Sequence, residues 1–120
     1  MTLNRSNFFD WKQDGKIHVV TLRVDMLTDE ENLEQFDQEL SSIVETSTPC
    51  HMVCDLSSVR YMSSSAIGKF ISLHRKMMRT NGQLILCGLQ SAVKDILATS
   101  HLLKYFHVTD DTSQAIKKLK

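Results

Sequence analysis

Two short runs of almost unbroken apolar residues, Cys50-His51-Met52-Val53-Cys54-Asp55-Leu56 and Gln83-Leu84-Ile85-Leu86-Cys87, place the tightest limits on what this chain can become. Each is too short for a helix and lacks the polar alternation of a strand with one wet face, so each reads as a strand buried on both sides. Such strands belong to parallel sheets, in which neighbouring strands need a crossover connection, usually a helix.

The residues between the two runs supply that crossover. Ile67, Phe70, Ile71, His74, Met77 and Met78 fall on one side of a helix and Lys69, Ser72, Lys76 and Arg79 on the other, with Asn81-Gly82 to stop it. Upstream, Phe8–Gln13 and Ile17–Arg23 flank Asp14-Gly15, a pair suited to the positive φ of a tight hairpin turn, and read as the first two strands. Thr28 and Glu31 have the spacing of a capping box, and Leu33, Phe36, Leu40, Ile43 and Val44 then recur at helical spacing, predicting a helix from about Asp29 to Glu45.

Further on, Ser91 opens a short helix with Val93, Ile96 and Leu97 facing inward, and Phe106-His107-Val108 predicts a last strand. Asp110 and Asp111 precede Ala115-Ile116-Lys117-Lys118-Leu119, with acids and lysines at the ends that a terminal helix dipole favours. The expected fold is α/β: one domain over residues 1–120, with a mostly parallel sheet of four to five strands, an N-terminal antiparallel hairpin and about four helices.

Composition excludes several functions. At 42% hydrophobic and 23% charged, the chain has a soluble globular balance, which argues against disorder and against a disulfide-stapled miniature fold. Fourteen basic and fourteen acidic residues cancel, leaving no basic footprint of the kind that neutralises nucleic-acid phosphates. No apolar run reaches the roughly 18 residues that span a bilayer, and Met1–Asn7 leads into no signal-type apolar stretch, so no membrane insertion and a cytoplasmic location are expected. Cys50, Cys54 and Cys87 lie within apolar segments, as reduced thiols acting as small hydrophobes do.

From His51 to Asp111 the chain runs through a buried strand, Asp55-Leu56-Ser57-Ser58-Val59, Tyr61-Met62, the cluster Ser63-Ser64-Ser65, an amphipathic helix, Asn81-Gly82, a buried strand and a short helix. This order resembles the STAS family, the anti-sigma-factor antagonists and their relatives. In that family a strand ending in Asp-Leu precedes an aspartate, a serine, another serine or threonine, and a glycine, and the first serine of the group is phosphorylated. Those positions here are Ser63, Ser64, Ser65 and Ala66, with serine in place of the aspartate and alanine in place of the glycine.

The resemblance implies a non-enzymatic signalling module that binds an anti-sigma factor of the serine-kinase type and is switched off by phosphorylation at Ser64, with Ser63 and Ser65 as secondary candidates. Other STAS proteins are a second class of partner it implies. It equally allows a STAS scaffold that assembles without being switched at Ser64. The partner surface expected comprises Met62, Ser63, Ser65, Ile67 and Gly68 around the serine, Asp55 at the end of its strand, and Lys69 and Ser72, which with Lys76 form a stripe along the helix.

Physical chemistry leaves two compatible roles open for the serines. Ser63 or Ser64 can cap the helix through its hydroxyl, a role worth roughly 1 kcal/mol. A phosphate on Ser64 would meet the positive end of the helix, while adding about 1.5 to 2 negative charges to any interface there. Asp55 likewise either faces a ligand at the carboxyl edge of the sheet or bonds the backbone N–H groups of its own turn.

No catalytic residue, cofactor or metal site is expected. A serine hydrolase needs a base beside its nucleophile, whereas His74 lies ten residues beyond Ser64 on one helix, about 15 Å away. Gly-x-Ser-x-Gly and Gly-rich phosphate loops are absent, and His18, His51, His101 and His107 have no recognisable partner spacing. Along an extended strand the sulfurs of Cys50 and Cys54 would lie about 13 Å apart, too far for metal bonds of about 2.3 Å. His74, on an apolar helix face, is expected to be a packed, hydrogen-bonded core residue.

Overall fold

The computed structural model describes residues 8–28, 30–46 and 49–120. The hairpin of β1 (Phe9–Asp14) and β2 (Ile17–Leu22) closes with Asp14 opposite Ile17, so only Gly15 and Lys16 make the turn. Gly15 has φ +63°, a conformation open to glycine at no steric cost, and Asp14 remains in the strand rather than sharing the turn. After the two-residue strand β3 (Met26–Leu27), helix α1 spans Glu30–Val44. The Thr28–Glu31 capping box expected at its start, and the reading of Met1–Asn7, lie outside the described residues.

Strand β4 (His51–Asp55) follows, then β5 (Tyr61–Met62), α2 (Ser64–Met78), β6 (Leu84–Cys87), α3 (Ser91–Thr99), β7 (His107–Thr109) and α4 (Thr112–Leu119). The main sheet has the order β1-β2-β4-β6-β7, antiparallel at β1–β2 and parallel elsewhere. A separate parallel pair, β3–β5, was not foreshadowed, because two-residue strands are too short to show any periodicity.

Both buried runs are covered on two faces, as their composition demands. Met52, Cys54, Leu84 and Leu86 join the main core with Leu33, Phe36, Phe70 and Leu73 of α1 and α2. On the opposite face Val19, Val53 and Ile85, adjacent in register, pack with Ala115, Ile116 and Leu119 of α4. Phe36 ties the large layer together, meeting Phe8, Phe9 and Phe70 edge-on with ring centroids 5.8, 6.2 and 5.8 Å away. Replacing so buried a ring with alanine would cost about 3–5 kcal/mol.

The inward stripe of α2 is Ala66, Ile67, Phe70, Leu73, His74 and Met77. Met78, expected inward, is instead 55% exposed, and Leu73 takes the buried place: Leu73 lies three residues from Phe70 and four from Met77 at the centre of the stripe, whereas Met78, next to Met77, falls at its edge. Asn81, at φ 64°, takes the left-handed position that ends α2, and the N–H groups of Asn81 and Gly82 donate to the Met78 and Met77 carbonyls. Gly82 serves a different need: a Cβ there would collide with the Cys50 carbonyl. His101, at φ 60°, ends α3 in the same manner, with Leu102 N–H donating to the Leu97 carbonyl at 2.7 Å.

His74 is packed but not hydrogen-bonded as expected. It is 4% exposed and its Nδ1 has no hydrogen-bond partner among the described residues, being surrounded by the rings of Tyr105, Phe106 and His107. Cys50, Cys54 and Cys87 are buried thiols that form no disulfide among the described residues. Burial drives the Cys54 thiol far above its usual range and the Cys87 thiol up to about 11, so both stay protonated and unreactive near neutrality.

Candidate functional site

Ser63 fixes the start of α2 from both sides. Its backbone is extended, its Oγ accepts from Ala66 N–H at 3.2 Å, and its carbonyl accepts from Ile67 N–H at 3.1 Å. Its own N–H donates to the Leu27 carbonyl at 3.0 Å, which fastens the cap to β3. The capping role thus falls to Ser63, leaving Ser64 as the first helical residue. Ser64 and Ser65 are both exposed, and their hydroxyls and N–H groups bond no other described residue. The first turn holds no acidic side chain, so the unpaired N–H groups face solvent with no compensating charge.

Around this helix start the expected residues divide into two sets. Ser65, Gly68 and Ser72 are exposed and, with the half-buried Lys69, line a shallow groove against Leu33 and Glu34 of α1. Met62 and Ile67, at 2% and 6% exposure, point into the core and support the surface from beneath. Tyr61, adjacent to Met62 and therefore on the other face of the strand, is 47% exposed. It is paired across β3–β5 with Met26, which is 55% exposed. Gly68 makes no demand on the fold: a Cβ there would have nothing within 4 Å.

The sequence profile of the STAS domain matches residues 10–115. The chain belongs to the STAS family. A Bordetella bronchiseptica protein named as the anti-sigma factor antagonist BtrV is 27% identical over 89 residues, which span 74% of this chain and 76% of the relative. Among solved structures, an anti-sigma-factor antagonist (STAS) domain protein from Planctomyces limnophilus superposes with a TM-score of 0.84 at 16% identity, covering 92% of this chain and 96% of its own. The Bacillus cell-fate determinant SpoIIAA, in its phosphorylated form, gives a TM-score of 0.70 at 17% identity, covering 93% and 99%. The mixed sheet, hairpin and four helices are therefore those of STAS proteins named as anti-sigma factor antagonists. No helix among the described residues is long and apolar enough to cross a membrane.

Within this STAS domain Asp55 and the serine turn are held apart. Asp55 alternates with Cys54 and shares a sheet face with Val53, the α4 side, whereas α2 packs on the other. Its Oδ1 accepts from Ser57 N–H at 2.9 Å and its Oδ2 from the Thr112 hydroxyl at 3.4 Å. Gly88, at φ +69°, passes so close that a Cβ would sit 2.9 Å from Asp55 Oδ1. This carboxylate organises the turn and ties it to α4.

The lysine stripe is likewise engaged within the domain. Lys69 Nζ lies 3.3 Å from Glu34 and 3.8 Å from Asp37, and Lys76 Nζ lies 3.1 Å from Glu45, so the stripe bridges α2 to α1. Met26 and Tyr61 are the surface residues that pattern reading missed. The one available signal was an aromatic beside a buried residue two positions before the serines.

Proposed function

We propose that this STAS domain is a non-enzymatic, cytoplasmic binding module of a partner-switching pathway. It binds an anti-sigma factor of the serine-kinase type while Ser64 is unmodified and lets go when Ser64 is phosphorylated. The observation that carries this reading is the state of Ser64: exposed, first in its helix, and with a hydroxyl that bonds no other described residue, so a kinase could reach it without disturbing the fold.

The surroundings support the same reading. Met26 and Tyr61 give an apolar anchor beside the serine, and Gly68 leaves room for close approach of a partner one helical turn on. A mid-helix glycine costs about 1 kcal/mol relative to alanine and gains nothing inside this fold. A dianionic phosphate at Ser64 would suit the helix start but would bring charge and bound water into the contact, weakening the complex. SpoIIAA, whose fold this chain shares, has been solved in a phosphorylated form.

The test is incubation with the cognate kinase and ATP, followed by mass spectrometry and a binding assay. Phosphate on Ser64 together with loss of binding supports the switch. Binding that is indifferent to the state of Ser64 would instead identify a STAS scaffold that assembles without being switched.

A further inference from the structure

The far end of α2, about 20 Å along its axis from Ser64, carries a second surface. Of the large hydrophobics exposed among the described residues, Met78 and Tyr105, at 55% and 39%, line one groove between the end of α2 and the segment leading into β7. His74, Lys104 and His107 complete its wall. We propose that this groove is a docking site for an acidic segment of another protein, one that carries an apolar side chain between its carboxylates.

Charge selects the partner. From Leu56 to Lys94 the chain has no aspartate or glutamate, yet it carries Arg60, Lys69, Arg75, Lys76, Arg79 and Lys94. In a chain of zero net charge this is a segregation of charge along the sequence. Lys69 and Lys76 are answered by carboxylates of α1, and Arg75 and Arg79 line a separate groove that includes Asp37 of α1, whereas Lys104 is exposed in the wall of this groove and enters none of the ion pairs between described residues. No acidic residue lines the groove. Carboxylates arriving there meet Lys104, with His107 beside it, and no competing anion in the lining, the complementarity that selects a partner and speeds its approach.

The floor points the same way. A flexible thioether beside an aromatic ring accepts an aliphatic or aromatic side chain without needing one fixed shape. His74, 4% exposed and packed against the rings of Tyr105, Phe106 and His107, backs this floor rigidly. The proposal does not depend on Ser64, and the two can fail separately.

The experiment is to pan a displayed random-peptide library on the full chain and measure the selected peptides by titration. Enrichment of carboxylates flanking Leu, Phe or Met is expected. These peptides should bind Met78→Glu and Lys104→Glu at least about tenfold more weakly than wild type, and Ser64→Asp as tightly as wild type. Both substitutions fall on exposed side chains, and circular dichroism melts verify that the variants fold. No enrichment over a blank, or equal affinity for Lys104→Glu, overturns the proposal. So does a concentration-dependent dimer in sedimentation that Met78→Glu abolishes, which would give the groove to a second copy of the chain.

Discussion

Met26 and Tyr61 stand opposite each other in the parallel pair β3–β5, and each leaves about half of its surface in solvent, 55% and 47%. Two large apolar side chains side by side, next to an exposed serine, have the composition of an interface centre. Met26→Glu and Tyr61→Glu should each weaken binding to the anti-sigma partner by at least about tenfold. Because neither side chain is buried, unfolding free energies should change by only about 0.5 kcal/mol. Calorimetric titration beside a denaturant melt checks both halves.

Ser63 and Ser64 should respond differently to mutation. Ser63→Ala removes the acceptor for Ala66 N–H and should cost about 1 kcal/mol, a drop of about 4 °C in Tm. Ser63→Asp, which restores the residue the family places here, keeps a capping oxygen and adds a charge that the helix start favours, so its Tm should equal or exceed that of wild type. Ser64→Ala should leave both Tm and partner binding near wild type, while Ser64→Asp should lower binding alone.

Gly68 separates stability from binding. Gly68→Ala places a methyl group where nothing lies within 4 Å and replaces a poor helix former, so the free domain should gain about 0.5–1 kcal/mol. Affinity for the partner should fall at the same time. A variant that is more stable and binds equally well would remove Gly68 from the interface.

Acid should weaken the fold through two imidazoles. His18 is fully buried and accepts from Trp11 Nε1–H at 3.0 Å, and His74 is enclosed by Tyr105, Phe106 and His107. Burial lowers the pKa of both, with His107 adding to the effect at His74. The unfolded chain takes up protons near the ordinary histidine value of about 6.5, while the native state resists until lower pH. Their stabilising contribution is therefore complete above about pH 6.5 and is lost as pH falls toward the lowered folded values. Tm measured from about pH 7.5 to about pH 5 should decline, and His74→Gln should decline less steeply.

Much of the fold was legible because burial on both faces leaves a clear mark on composition. The runs around Val53 and Ile85 admitted little else, and the 3.6-residue stripe of α2 identified its core side apart from Met78. The β3–β5 pair was illegible, since its register depends on Leu27 meeting Ser63 across a long gap in sequence. Ser64 was visible as a motif position, but that its hydroxyl bonds no other described residue required knowing that Ser63 does the capping. Of the two roles left open for Asp55, bonding its own turn is the one found, through Ser57 N–H. Its second partner, Thr112, and the α1 carboxylates that engage the lysines come from elements remote in sequence.

The attachment of the Ser63 cap to β3 bears on where information is kept. Both the oxygen and the N–H of Ser63 are spoken for, while the neighbouring hydroxyl of Ser64 bonds no other described residue. Whatever is written on that hydroxyl leaves the domain's own bonds unaltered, so the domain keeps no internal memory of it. Only a second molecule laid across the helix start could read the mark.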